Sequence, residues 1–130
     1  DNDIKYIQGG FLQESQNAKF TKFIPHYLGE KSKIVDMIYL VRNCTFEPAQ
    51  SSRKNYWEST YRQIENAFAK GTPAIISSHR VNFIGSINQE NRKNGLTQLK
   101  SLLKKITLNH PDVIFLNSFQ LGEYLNANEI

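Results

Sequence analysis

Apolar residues crowd most densely in 33–42, KIVDMIYLVR, where Ile34, Val35, Ile38, Tyr39, Leu40 and Val41 run with little polar interruption. These side chains are mostly β-branched or aromatic, and near-continuous apolarity marks a strand buried on both faces, as in a parallel sheet. Asp36 stands out as an acid within that strand. A second aliphatic run, 74–78, opens after Pro73 and ends in serines. Shorter strands are expected at 5–8, closed by Gly9-Gly10, and at 113–116, which reads as buried.

Two long segments carry a period near 3.6 instead. Trp57, Tyr61, Ile64 and Phe68 share one helical face, with Asn55 and Glu58 spaced as a capping box and Gly71 and Pro73 ending the helix. From about Glu90 to Asn109, Leu96, Leu99, Leu103 and Ile106 form an apolar stripe with Leu102 beside it, and Pro111 terminates the element. Ser118 reads as the N-cap of a last helix carrying Leu121, Tyr124 and Leu125. Residues 11–32 show no clean period and read as a long irregular connection, of a length often functional in a compact domain. The order is strand, strand, helix, strand, helix, strand, helix. It predicts a single α/β unit over 1–130, with parallel strands joined by right-handed crossovers.

Chemistry gathers where two of these strands end. One cluster is Arg42-Asn43-Cys44-Thr45-Phe46-Glu47-Pro48, and the other is Ser77-Ser78-His79-Arg80 with Asn82. Parallel neighbours put both on one rim, the usual place for sites in α/β proteins. Arg42, Asn43, Glu47, Arg80 and Asn82 would then surround a polyhydroxylated ligand, offering guanidinium forks, amides and a carboxylate. His79 is the candidate general acid or base. Plainer roles stand beside these: an Arg42–Glu47 ion pair fastening a loop, turn-forming asparagines, and a histidine bonded to backbone. Cys44 with His79 as its base lacks a third, orienting residue, and a lone cysteine is commonly a small buried hydrophobe. His26, His79 and His110 are too scattered to suggest a metal site.

Composition narrows the reading only slightly. The 130 residues are 39% hydrophobic and 22% charged, which suits a folded domain. The net charge of +4 is spread along the chain, and its densest group, Lys100, Lys104 and Lys105, lies opposite an apolar helix face. A solvated face accounts for it, and no nucleic-acid partner is expected. No apolar run is long enough to span a bilayer, so no membrane partner is expected. The absence of a signal-like segment and the single cysteine slightly favour a cytoplasmic location.

From Ile38 onward the chain resembles the closing part of polysaccharide deacetylase-like domains, distorted (β/α) barrels shared with some glycoside hydrolases. Ile76-Ser77-Ser78-His79 is similar to that family's aliphatic-x-x-His motif on the last catalytic strand. The helix at 91–110 followed by Pro111-Asp112-Val113-Ile114-Phe115 resembles its penultimate helix and final strand. SFQLGEYL at 118–125 looks like its terminal helix, and YLVRNCTFEP at 39–48 resembles a form found in a divergent subgroup. The resemblance implies the C-terminal half of a barrel, a carbohydrate ligand, and removal of acetyl from an acetylated sugar by metal-activated water. His79 would be the general acid. The family's Asp-Asp and His-x-x-x-His motifs do not occur here, and Arg80 stands where the family often has Asp. The chain therefore shows no cofactor of its own; a divalent metal is expected only with an N-terminal half. The partner is that half or a second copy of the chain. The alternative function is a non-catalytic carbohydrate-binding or scaffold remnant of the same fold.

Overall fold

The computed structural model describes residues 4–17, 20–33, 36–51, 54–86 and 88–128. Its elements are β1 (Tyr6–Gly9), β2 (Leu12–Asn17), β3 (Phe20–Pro25), β4 (Ile38–Val41), β5 (Cys44–Thr45), α1 (Tyr56–Ala69), β6 (Ile76–Ser77), α2 (Gln89–Asn109) and α3 (Ser118–Asn128). Single 3-10 turns occur at Pro48–Gln50 and Arg80–Asn82. This is a mixed α/β chain, and its strands pair in three separate two-stranded sheets, two parallel and one antiparallel. By contacts it divides into two units, Asp1–Arg42 with Phe115–Ile130, and Asn43–Ile114. No helix among the described residues is long and apolar enough to cross a membrane.

In the first unit β1 lies parallel to β4, with Tyr6 opposite Ile38 and Gly9 opposite Val41. The apolar run is buried as expected at Ile38, Leu40 and Val41. The strand starts later than predicted: Ile34 and Val35 lie outside the described residues, and Asp36 is exposed on a bend before it. α3 packs on this pair through Leu121 and Leu125. A Cβ on Gly122 would overlap the Tyr6 ring, so only glycine lets the helix approach so closely. The cap of α3 is Asn117 rather than Ser118: Gln120 N–H donates to Asn117 Oδ1 (2.9 Å), and Asn117 N–H donates to Gln120 Oε1 (2.9 Å).

Residues 11–32, expected to be irregular, contain the β2–β3 hairpin, with Leu12 opposite Pro25 and Asn17 opposite Phe20. After it, His26 is buried and stacks on Tyr39 with ring centroids 3.8 Å apart. Its Nε2 is 2.7 Å from Gln13 Oε1 and its Nδ1 3.3 Å from Glu30 Oε2. Glu30 also accepts from the Tyr27 backbone N–H, the main reason its carboxyl is held below the ordinary range.

In the second unit β5 and β6 run parallel, Cys44 opposite Ile76 and Thr45 opposite Ser77. The core comprises Cys44, Phe46, Ile64, Leu102 and Ile106, flanked by Trp57, Tyr61, Phe68, Phe83, Leu99 and Val113. α1 meets it with the predicted aromatic face and also completes the short β5. Thr45 N–H donates to Gln63 Oε1 (2.8 Å), and the Thr60 hydroxyl donates to Thr45 O (2.7 Å). In α2 the buried stripe is Gly95, Gln98, Leu102 and Ile106, while Leu96 and Leu103 face outward. The predicted stripe was displaced because Gly95 and Gln98 carry no apolar signal. Gln98 is buried because its amide is satisfied: it accepts from Trp57 N–H (3.3 Å) and donates to Lys54 O (3.2 Å). Residues 113–116 form no strand. Val113 packs against the core, but Ile114, Phe115 and Leu116 are exposed.

Candidate functional site

Parallel pairing of β5 and β6 sends their carboxyl ends in the same direction. Phe46-Glu47 and Ser78-His79 therefore emerge side by side, as the Phe46 N–H bond to Ser77 O (2.9 Å) and the Ser78 hydroxyl bond to Phe46 O (2.7 Å) show. At this end His79 Nδ1 is 2.7 Å from Glu47 Oε1. The same oxygen accepts the His79 backbone N–H at 3.1 Å. The other carboxylate oxygen, Oε2, accepts from Asn82 Nδ2 at 2.8 Å.

Glu47 is only 5% exposed and Asn82 is fully buried, whereas the His79 side chain is 78% exposed. A buried carboxylate is tolerable only when its lone pairs are satisfied, and these three donors do that. A carboxylate facing Nδ1 selects the tautomer with its proton on Nδ1, leaving Nε2 as the working atom. Asn82 is locked in turn: its Nδ2 also donates to His79 O (2.9 Å), and its Oδ1 accepts from Ala49 N–H (2.8 Å). The order of the trio is then buried amide, buried carboxylate, exposed imidazole. It can hold one ring rigidly and present an Nε2 that gains or loses a proton.

α2 supports the cluster from outside. Asn94 Nδ2 donates to Pro48 O (2.9 Å), fixing the turn after Glu47. A Cβ on Gly95 would overlap the Asn82 carbonyl oxygen and lie 3.0 Å from its carbon, so the helix backbone rests directly on the turn that carries Asn82. Sequence reasoning named neither Asn94 nor Gly95. A glycine inside an otherwise good helix, at a cost of about 1 kcal/mol against alanine, was the available signal.

The other candidates are placed differently. Asn43 fastens the strand starts together, its Nδ2 donating to Pro73 O (2.9 Å) and its Oδ1 accepting from Ile75 N–H (2.7 Å). Arg80 is exposed next to His79 and opens the 3-10 turn. Arg42 belongs to the first unit, where its backbone N–H donates to Gly9 O (2.9 Å) after β4; the His79 cluster is built wholly from the second. Cys44 sits in the core, and burial pushes its thiol up to about 11, which removes it as a nucleophile near neutral pH. A divalent metal does not fit the trio. A zinc site takes three or more protein donors, and no His, Cys, Asp or Glu group of three converges among the described residues, while the Glu47 oxygens accept from His79 and Asn82.

No protein-family model, curated protein or solved structure matches this chain.

Proposed function

We propose that this chain is the C-terminal half of a distorted (β/α) barrel of the polysaccharide deacetylase-like kind, acting on an acetylated carbohydrate with His79 as general acid. The observation that carries the reading is the bracing of an exposed imidazole by a buried carboxylate, itself held by a buried amide. In the step assigned to His79, the imidazolium gives its Nε2 proton to the sugar oxygen as the acetyl carbon–oxygen bond breaks. The neutral ring keeps its Nδ1 proton, donated to Glu47, which holds the ring's aim throughout. Glu47 is thus a positioning residue, and Asn82 positions Glu47. Activation of the attacking water falls to groups outside this trio, in a partner half or a second copy of the chain. Carbohydrate binding without turnover is the competing reading.

The test measures acetate release from acetylated oligosaccharides by the full-length protein and its His79→Ala variant, with thermal melts of both. General acid catalysis contributes roughly 10²–10⁴-fold, so turnover should fall by that order while KM and melting temperature hold. Equal turnover removes His79 from the mechanism. Binding with no acetate release by the wild-type protein favours the non-catalytic reading.

A further inference from the structure

We infer that the groove between the 3-10 turn Pro48–Gln50 and the first turns of α2 binds a neutral oligosaccharide chain; this rests on the carbohydrate reading above. The groove has a volume of about 790 Å³. Amides and hydroxyls, chiefly Gln50, Asn88, Asn91, Asn94 and Thr97, line it alongside Pro48 and Ala49. Within α2, Asn91, Asn94 and Thr97 recur every third residue, making one inclined ridge with a rise of about 4.5 Å per step, and the N-cap Asn88 precedes it. An extended polymer of hydroxyl-bearing rings could meet such a ridge at successive units.

Chemistry narrows the ligand further. A side-chain amide both donates and accepts, as does a sugar hydroxyl, so an amide wall suits hydroxyls of either orientation. Glu90 and Lys93 are the charged residues lining the groove, and their charges oppose each other, leaving it without a net bias toward ions. Peptide recognition usually draws on an open strand edge or apolar anchor pockets, and no large apolar side chain lines this groove. The wall is also partly preorganised. Asn94 is oriented by Pro48 O (2.9 Å) and by Gln98, whose Nε2 donates to Asn94 Oδ1 (2.9 Å). The side chains of Gln50, Asn91 and Thr97 form no hydrogen bond among the described residues and remain available. Ala49, which lines the groove, is the residue whose N–H Asn82 holds, and Pro48, next to Glu47, lines it too, so the groove begins one residue from Glu47.

The experiment is an NMR titration of the ¹⁵N-labelled protein with a neutral β-1,4-linked tetrasaccharide, with tetragalacturonate and a neutral Ser/Asn-rich peptide as competitors for the assignment. Saturable shifts of the Gln50, Asn91 and Asn94 side-chain amides with the neutral sugar, weaker with the other two, support the groove. Asn91→Ala should then raise Kd about fivefold, the loss of one ordinary hydrogen bond, and Thr97→Val should act in the same direction. Sugar-induced shifts confined to the surroundings of His79 and Asn82 overturn the groove and leave the His79 reading intact. Equal or stronger binding of the anionic sugar or the peptide also overturns it. Absence of sugar binding overturns it as well, and the acetate-release assay then decides separately whether the His79 reading survives.

Discussion

At the scale of single residues, position in the hydrogen-bond order decides what each polar group can do. Glu47 and His79 were both legible as candidates because each follows an aliphatic run, but their relationship was not. An ion pair with Arg42 was the plainer sequence reading of Glu47; the structure shows its two carboxylate oxygens accepting from His79 and Asn82. Asn82 looked like a turn former; its complete burial makes it the anchor of the trio. Cys44 illustrates the opposite outcome, a reactive residue type made inert by its surroundings. Its thiol, ordinarily near 9.0, is raised to about 11 by burial. Native protein at pH 8 should therefore resist alkylation by iodoacetamide and react only in denaturant. The linkage has a definite sign: between about 9 and 11 the unfolded chain gives up this proton and the folded one keeps it, so this contribution to stability is full below 9 and is lost as pH rises to 11. Rapid native-state alkylation at pH 8 would contradict the core placement.

At the scale of elements, helices were readable and short strands were less so. α1 and α2 announce themselves by period, yet the buried stripe of α2 is rotated from the expected one, since beside Leu102 and Ile106 it includes Gly95, a small residue, and Gln98, a polar one with its own partners. The hairpin escaped notice because β2 begins LQES, where polar residues fall on both faces and leave no alternation to detect. At 113–116 an apolar run suggested a strand, but no partner strand pairs with it among the described residues. Gly95 gives a direct test of how α2 supports the site. Replacing it with alanine gains about 1 kcal/mol in helix propensity, but the new methyl meets backbone that no side-chain rotation can relieve, and overpacking costs about 1–3 kcal/mol. Gly95→Ala should lower the melting temperature and shift the NMR signals of Asn82 and His79. An unchanged or raised melting temperature would show that α2 stands further from the turn.

At the scale of the whole molecule, each unit leaves apolar surface in water. The hairpin exposes Phe20 (79%), Phe23 and Leu12, and Ile114 (77%) and Phe115 are open as well. Two-stranded sheets are marginal alone, and contiguous exposed aromatics usually mark an interface. The half-barrel proposal accounts for this surface as the seat of a missing half or a second copy. Light scattering should then give a mass above that of one chain, or a hydrophobic dye should bind the isolated chain strongly. A cooperatively melting monomer that binds no dye would mean that the chain is self-sufficient, and the half-barrel would have to be abandoned.

The central claim is that Glu47 holds His79 with its proton on Nδ1 and its Nε2 free to act. Long-range ¹H–¹⁵N correlation spectra report the tautomer of each imidazole ring directly. The account predicts that neutral His79 is protonated at Nδ1 in the wild-type protein and loses that preference in Glu47→Ala. A His79 ring protonated mainly at Nε2, with the same pattern in wild type and variant, would contradict it.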